Sequence, residues 1–159
     1  MNVTTETPSK KVAVMLTQNA AQTGARRILL VDDEKDGRRY GKAVLTAAGY
    51  LVEVLEDGAA GWKALQANHY DLVVTDNKMP KMTGIEMIEK LRSAHMTIPV
   101  ILATGALPVD EFASKPWLKP DDMLQKPFSS DQLLEAVRNV LGTDDGNESG
   151  KETLPPPCL

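Results

Sequence analysis

The sequence predicts an α/β fold in which a five-stranded parallel sheet carries helices on both faces. Two observations support this fold class. Short runs of branched apolar residues occur without polar interruption, which is typical of strands covered on both faces. Between these runs, apolar residues recur at helical spacing. Because strands and helices alternate, we expect right-handed βαβ units to join consecutive strands.

Five segments are predicted to be strands. Residues 28–31 form the first, a continuous apolar run that ends in two aspartates. Residues 51–55, 72–74 and 98–102 are similar runs, and residues 122–125 are the candidate for the fifth strand. Such runs suit a parallel sheet that is buried on both faces.

Two helices are predicted between the first three strands. The first covers residues 35–48, and Gly49 stops it. The second covers residues 58–67, and Asp57 precedes it as the expected N-cap. Each helix thus returns the chain to the start of the next strand.

Capping boxes mark the starts of two later helices. Thr83 is followed three residues later by Glu86, and Ser129 is followed in the same way by Gln132. Apolar residues at helical spacing come after each box. These helices are expected after the third and the fifth strand.

The segment that should hold the fourth helix is interrupted by prolines. Residues 107–120 contain three of them, and Pro116 should end a helix at or before Lys115. We therefore expect a helix of one or two turns, followed by an irregular segment in which Trp117 packs against the protein or, as the alternative, anchors a partner.

Composition limits the classes of function. The chain has 159 residues, enough for one domain, and a formal net charge of -4, which argues against a protein that mainly grips nucleic-acid phosphates. Its single cysteine, Cys158, excludes an intrachain disulfide and multi-cysteine zinc modules. No apolar run approaches the length of a membrane span. We expect a soluble cytoplasmic protein with no nucleic-acid or membrane partner.

The chain divides into three predicted parts. Residues 1–25 show little periodicity and are expected to be a flexible N-terminal arm. Residues 26–141 contain all the predicted strands and helices and form the folded domain. Residues 142–159 combine glycine, acidic residues and a proline triplet, so we expect a disordered C-terminal tail.

Polar residues follow the predicted strands at the edge where function gathers in open α/β sheets. Asp32 and Asp33 follow the first strand, Asp76 the third, Thr104 the fourth and Lys126 the fifth. Clustered carboxylates repel one another and favour a cation between them, and hard oxygen ligands suit Mg²⁺. The rim is therefore predicted to hold a phosphoryl group against a carboxylate.

Four motifs in this order resemble the receiver domain of two-component response regulators. They are ILLVDDE (28–34), DLVVTDNKMPKMTG (71–84), ILATGA (101–106) and LQKPF (124–128). The resemblance covers about residues 26–141. It implies the flavodoxin-like fold, a doubly wound five-stranded sheet of strand order 2-1-3-4-5, with the fourth helix short or irregular in this chain.

The resemblance implies that Asp76 is the phosphoacceptor, attacking the phosphohistidine of a sensor histidine kinase. It also implies a Mg²⁺ site with Asp33 as a direct ligand and Asp32 acting through water. The carboxylate of Asp76 and the backbone carbonyl of Lys78 complete the protein ligands. The domain would be a phosphoacceptor switch that catalyses only its own phosphorylation and dephosphorylation.

The resemblance assigns three further positions. Thr104 matches the switch hydroxyl, and Lys126 matches the lysine that pairs with the phosphoryl group, with a cis bond to Pro127. Met123 stands where the family usually has a Tyr or Phe that swings with the threonine. Arg38 lies in none of these positions and is expected to be a solvated side chain.

The favoured function is a single-domain response regulator that signals by protein docking or by phosphorelay through a histidine phosphotransfer protein. The alternative is a pseudo-receiver, a constitutive binding module that is not phosphorylated, which Met123 and the prolines make conceivable. Two other classes are weaker. A phosphohydrolase would need a second carboxylate where Lys78 stands, and the acidic segment after the first strand disfavours a flavin phosphate.

Overall fold

The computed structural model of the protein describes residues 24–142. The predicted arm and tail lie outside this range except for residues 24, 25 and 142, and both stay predictions. Five parallel strands form one sheet: β1 (Arg27–Val31), β2 (Leu51–Leu55), β3 (Leu72–Asp76), β4 (Val100–Thr104) and β5 (Asp122–Gln125). Their order is β2-β1-β3-β4-β5. The predicted fold class and strand order are confirmed.

Five helices and one 3₁₀ turn connect and follow the strands. The helices are α1 (Lys35–Ala47), α2 (Gly58–Ala67), α3 (Gly84–Ser93), α4 (Val109–Ser114) and α5 (Ser130–Leu141), and the 3₁₀ turn covers Pro116–Leu118. Two apolar cores separate the layers. Helices α1 and α5 pack on one face of the sheet, and α2, α3, α4 and the 3₁₀ turn pack on the other.

The two-sided burial explains the unbroken apolar runs of the strands. Along β1, Ile28 and Leu30 lie in the core under α1 and α5, whereas Leu29 and Val31 lie in the opposite core. Successive side chains of a strand point to opposite faces. All five residues of β3 and of β4 are buried, because both strands are central.

The predicted caps are present. The Asp57 side chain accepts a hydrogen bond from the backbone N–H of Ala60 at the start of α2. Reciprocal capping boxes begin α3 and α5, formed by the pairs Thr83 with Glu86 and Ser129 with Gln132. These local bonds place the N-termini of three helices at the edge of the sheet where the strands end.

The fourth helix is short, as the prolines predict. Helix α4 has six residues and ends before Pro116, which opens the 3₁₀ turn. The prediction that Trp117 packs against the protein is wrong, because this side chain is 63% exposed. Leu118 beside it is buried instead, so the tight turn directs the smaller apolar residue into the core and leaves the indole outside.

We expect Asp57→Ala to lower the free energy of unfolding by about 1–2 kcal/mol. The variant loses the cap on Ala60, a bond of 2.8 Å, and the contact of 3.2 Å between the Asp57 carboxylate and the ammonium of Lys81. Urea unfolding of the full chain measures the effect. Asp57→Asn is the matched control because it keeps a capping oxygen and loses only the charge.

A comparison of wild type with Asp57→Asn at different pH values tests the contribution of the Asp57 charge to stability. The bond from the Ala60 N–H, helped by Lys81 and opposed by burial, lowers the pKa of Asp57 below 3.8. The charge therefore stabilises the fold above that pH, and its contribution is lost as the pH falls through the lowered pKa. The advantage of wild type over Asp57→Asn is expected to shrink in acid. An advantage that stays constant down to pH of about 2 would contradict this cause.

Candidate functional site

The carboxyl ends of the strands bring four predicted residues together. Asp32 and Asp33 follow β1 directly, Asp76 is the last residue of β3, and Lys126 follows β5. The three carboxylates each offer an oxygen, and these oxygens lie within 4.8 Å of one another. Within residues 24–142, this is the group of acidic, histidine or cysteine side chains that could hold a metal ion.

Lys126 joins two of the carboxylates. Its Nζ lies 3.1 Å from Oδ2 of Asp32 and 3.1 Å from Oδ2 of Asp76. Both aspartates are buried, whereas Asp33 is exposed. Burial opposes the charge of Lys126, but its hydrogen bonds and attraction to Asp76 and Asp32 outweigh burial and raise the pKa of the ammonium group.

The donor set fits a hard divalent cation. Three carboxylates converge and one of them is open to solvent, which suits the oxygen ligands and retained waters of Mg²⁺. Lys126 neutralises only one of the three charges, so the cluster still carries negative charge that a cation would offset. The acidic cluster is typical of a Mg²⁺ site.

Arg38 holds the segment that carries two of the acids, a role that the sequence analysis missed. Its Nη1 donates hydrogen bonds to the backbone carbonyls of Asp32 (2.7 Å) and Asp33 (3.0 Å). The carboxylate of Asp32 also accepts a bond of 2.9 Å from the N–H of Glu34. In the sequence, Arg38 is only an arginine one turn into the helix that follows the acids. Arginines at such positions are common on solvated helix faces, so the residue did not stand out.

The segment after Asp76 is held close to the sheet. The carboxylate of Asp76 accepts a bond of 2.6 Å from the N–H of Asn77, and the Asn77 side chain accepts one from the N–H of Ile85. Gly84 permits this path, because a Cβ there would collide with the carbonyl of Asp76. Lys78 lies in this segment with an exposed side chain, two residues from Asp76.

The two switch positions, Thr104 and Met123, make their contacts away from the acids. The hydroxyl of Thr104 is buried at the end of β4 and donates a bond of 2.9 Å to the carbonyl of Ala106, within the following turn. Met123 is partly buried on β5 and packs with the core under α2, α3 and α4. Neither side chain has a hydrogen bond to the carboxylates among the described contacts.

Residues 28–138 match the family described as the response regulator receiver domain. The chain is 33% identical over 115 residues to the transcriptional regulatory protein CusR of Escherichia coli, covering 72% of this chain and 51% of that protein. It is 35% identical over 123 residues to the transcriptional activator protein IrlR of Burkholderia pseudomallei. This match covers 77% of this chain and 53% of IrlR. The chain thus spans about half the length of the curated relatives it matches.

Solved structures include receivers of similar extent. The response regulator TrrA of Thermotoga maritima, crystallised in complex with Mg²⁺ and BeF, is 32% identical with a TM-score of 0.64. The match covers 73% of this chain and 99% of that one. None of the helices within residues 24–142 has the length and apolar character needed to cross a membrane. The chain belongs to the response regulator receiver domain family of two-component signalling, whose members are phosphoacceptor switches that pair with histidine kinases.

Proposed function

We propose that Asp76 accepts a phosphoryl group from the phosphohistidine of a sensor histidine kinase in a Mg²⁺-dependent reaction. The observation that carries the proposal is the position of the Asp76 carboxylate. It ends a central strand, lies within 4.8 Å of two other carboxylates and contacts a lysine ammonium at 3.1 Å. This is the arrangement that phosphoryl transfer needs, because the transfer depends on positioning and charge neutralisation.

In this reaction a carboxylate oxygen of Asp76 attacks the phosphorus and forms a new O–P bond. The N–P bond of the donor breaks, and its electron pair stays on the imidazole, which takes up a proton. The ammonium group of Lys126 contacts both Asp32 and Asp76. It is therefore close enough to bind the phosphoryl oxygens and to stabilise their negative charge. The N–H of Asn77 holds the other carboxylate oxygen of Asp76. When bound, Mg²⁺ would supply the charge that offsets repulsion between the acids and the phosphoryl group.

The roles of the neighbours are part of the proposal. Asp33, the exposed acid, is assigned as a direct Mg²⁺ ligand, with Asp32 acting through water. The backbone carbonyl of Lys78 is assigned as another ligand because the residue follows Asp76 by two positions. Thr104 would have to exchange its bond to Ala106 for one to a phosphoryl oxygen.

We further propose that the domain works as a single-domain regulator, either docking on a downstream protein or passing the phosphoryl group to a histidine phosphotransfer protein. The near-complete coverage of TrrA supports this proposal. The competing function is a pseudo-receiver that binds a partner constitutively. Met123 and the Thr104 hydroxyl, which is engaged within its own turn, favour that reading, since both belong to the expected switch.

The test is the intact mass of the full chain after incubation with acetyl phosphate. With Mg²⁺ we expect a gain of one phosphoryl group, and with a chelator we expect none, because the acids would repel the donor. No gain under either condition would favour the pseudo-receiver, provided that the folded protein also fails to respond to beryllofluoride with Mg²⁺. That second measurement separates absent chemistry from rapid loss of the adduct.

A further inference from the structure

A cavity of about 430 Å³ opens between α1 and the segment that joins β5 to α5, next to the acidic cluster. Its volume falls within the range of pockets that bind small molecules. Apolar side chains from β1, β3, β4, the segment between β5 and α5, and α5 line it, and these are Leu30, Val74, Ala103, Phe128 and Leu133. The charged residues of the lining, Asp32, Glu34, Asp76 and Lys126, lie at the carboxyl ends of the strands, and this end of the cavity is its mouth.

Two glycines of α1 line this cavity, where the helix backbone lies close to β1 and to Asp32. Gly37 and Gly41 both line it, and their spacing of four residues places them on the same face of the helix. A Cβ on Gly41 would lie 2.7 Å from Cδ2 of Leu30, and a Cβ on Gly37 would lie 2.5 Å from Oδ2 of Asp32. Glycine inside a helix weakens it relative to alanine. The helix therefore carries two unfavourable residues where its backbone approaches Leu30 and Asp32 too closely for a side chain to fit without displacing them.

The charged residues at the mouth of the cavity carry a net negative charge. Asp32, Glu34 and Asp76 line it, and Asp33 belongs to the same acidic cluster. Two cations oppose these four carboxylates: Lys126 in the lining and Arg38 on the adjoining backbone. The net formal charge is therefore negative, and a ligand with an anionic group would meet repulsion there.

We propose that the cavity binds a small organic ammonium compound. Its apolar body, of about the size of one ring, lies against Gly41, Leu30 and Phe128, and its ammonium group contacts the carboxylates of Asp32 and Glu34 at the mouth. Because Asp32 is shared with the acidic cluster, the compound competes with Mg²⁺. It therefore opposes phosphorylation of Asp76, a consequence that rests on the proposed function, whereas the binding itself does not.

Benzylamine is the probe that tests the proposal, in an NMR titration of the full chain without Mg²⁺ or phosphodonor. We expect saturable shifts of the amides of Gly37, Gly41 and Phe128 with a Kd of about 1 mM. Benzyl alcohol, which has the same ring without the charge, is expected to bind about tenfold more weakly. Benzoate is expected not to bind, and Mg²⁺ is expected to raise the apparent Kd of benzylamine.

Two variants test the site from different sides. Gly41→Leu must displace Leu30, which also lines the cavity, and the two leucine side chains then occupy its volume, so we expect the substitution to abolish benzylamine binding. Glu34→Gln changes only an exposed side chain at the mouth, so we expect the fold to be preserved. The affinity of this variant for benzylamine is expected to fall roughly threefold. Glu135→Gln removes an equally exposed carboxylate on α5 outside the cavity lining and is expected to bind like wild type.

Three results would overturn the proposal: no shift at the cavity amides, equal binding of benzoate and benzylamine, or unchanged binding in a folded Gly41→Leu variant with Glu34→Gln also unchanged. Failure of the proposed function gives a different pattern. In that case benzylamine binds and competes with Mg²⁺ as expected, while acetyl phosphate adds no mass to the wild-type chain.

Discussion

Asp76→Asn is expected to abolish the mass gain from acetyl phosphate completely, because the amide oxygen is too weak a nucleophile to form the new O–P bond. The fold is expected to survive. The substitution removes one of three clustered carboxylates, and Lys126 keeps its contact of 3.1 Å with Asp32. Intact mass and thermal unfolding of the full chain measure both expectations.

The matched control is Asp110→Asn, which makes the same chemical change on the exposed first turn of α4. We expect this variant to gain one phosphoryl group like wild type. If Asp76→Asn still gains mass in a Mg²⁺-dependent way, the phosphoacceptor is another residue, and Asp33 as the exposed acid of the cluster would be examined first. Equal loss in both variants would indicate a fault of the assay conditions and not a role of either carboxylate.

Lys126→Met is expected to change two quantities in opposite directions. Removal of the ammonium leaves the carboxylates of Asp32 and Asp76 without their cation, so we expect Mg²⁺ to bind about tenfold more tightly. The initial rate of phosphorylation is expected to fall about 100-fold, since a positive charge aimed at the developing phosphoryl charge is lost. Calorimetric titration with Mg²⁺ and the time course of the mass gain measure the two effects.

Lys63→Met is the control for this prediction. It removes the positive charge of an exposed lysine on α2, a helix that contributes no residue to the acidic cluster. We expect wild-type Mg²⁺ affinity and a wild-type rate. A Lys126→Met variant in which both quantities fall together would contradict the direct role of the ammonium. It would indicate instead that Lys126 mainly holds the carboxylates in position.

The fold could be predicted from local patterns because its determinants are local. The apolar runs, the N-cap Asp57 and the two capping boxes each depend on residues within a few positions of one another. The proline at position 116 limited α4 for the same reason. Trp117 shows where this reasoning fails, since no local pattern decides which of two adjacent apolar side chains enters the core.

The sequence predicts which residues lie at the candidate site, but it does not predict the contacts that their side chains make. The parallel direction of the strands implies that Asp32, Asp33, Asp76 and Lys126 lie at one edge, because parallel strands end on the same side of a sheet. The sequence places Arg38 one turn into the helix after the acids but does not distinguish an arginine that bonds to two backbone carbonyls from a solvated one. Nor does it indicate that the Thr104 hydroxyl bonds to Ala106. Such bonds depend on the rotamers that the surrounding packing permits.

The sequence patterns by themselves determined the parallel sheet and the residues at the carboxyl ends of its strands, and the resemblance to receiver domains implied the order of those strands. Only the tertiary structure decided that Lys126 contacts two aspartates that lie 94 and 50 positions away along the chain. It also decided that Gly37 and Gly41 border a cavity beside them. The physical reason is that periodicity and capping act within one helix or strand, whereas distances between side chains depend on how several of these elements pack together.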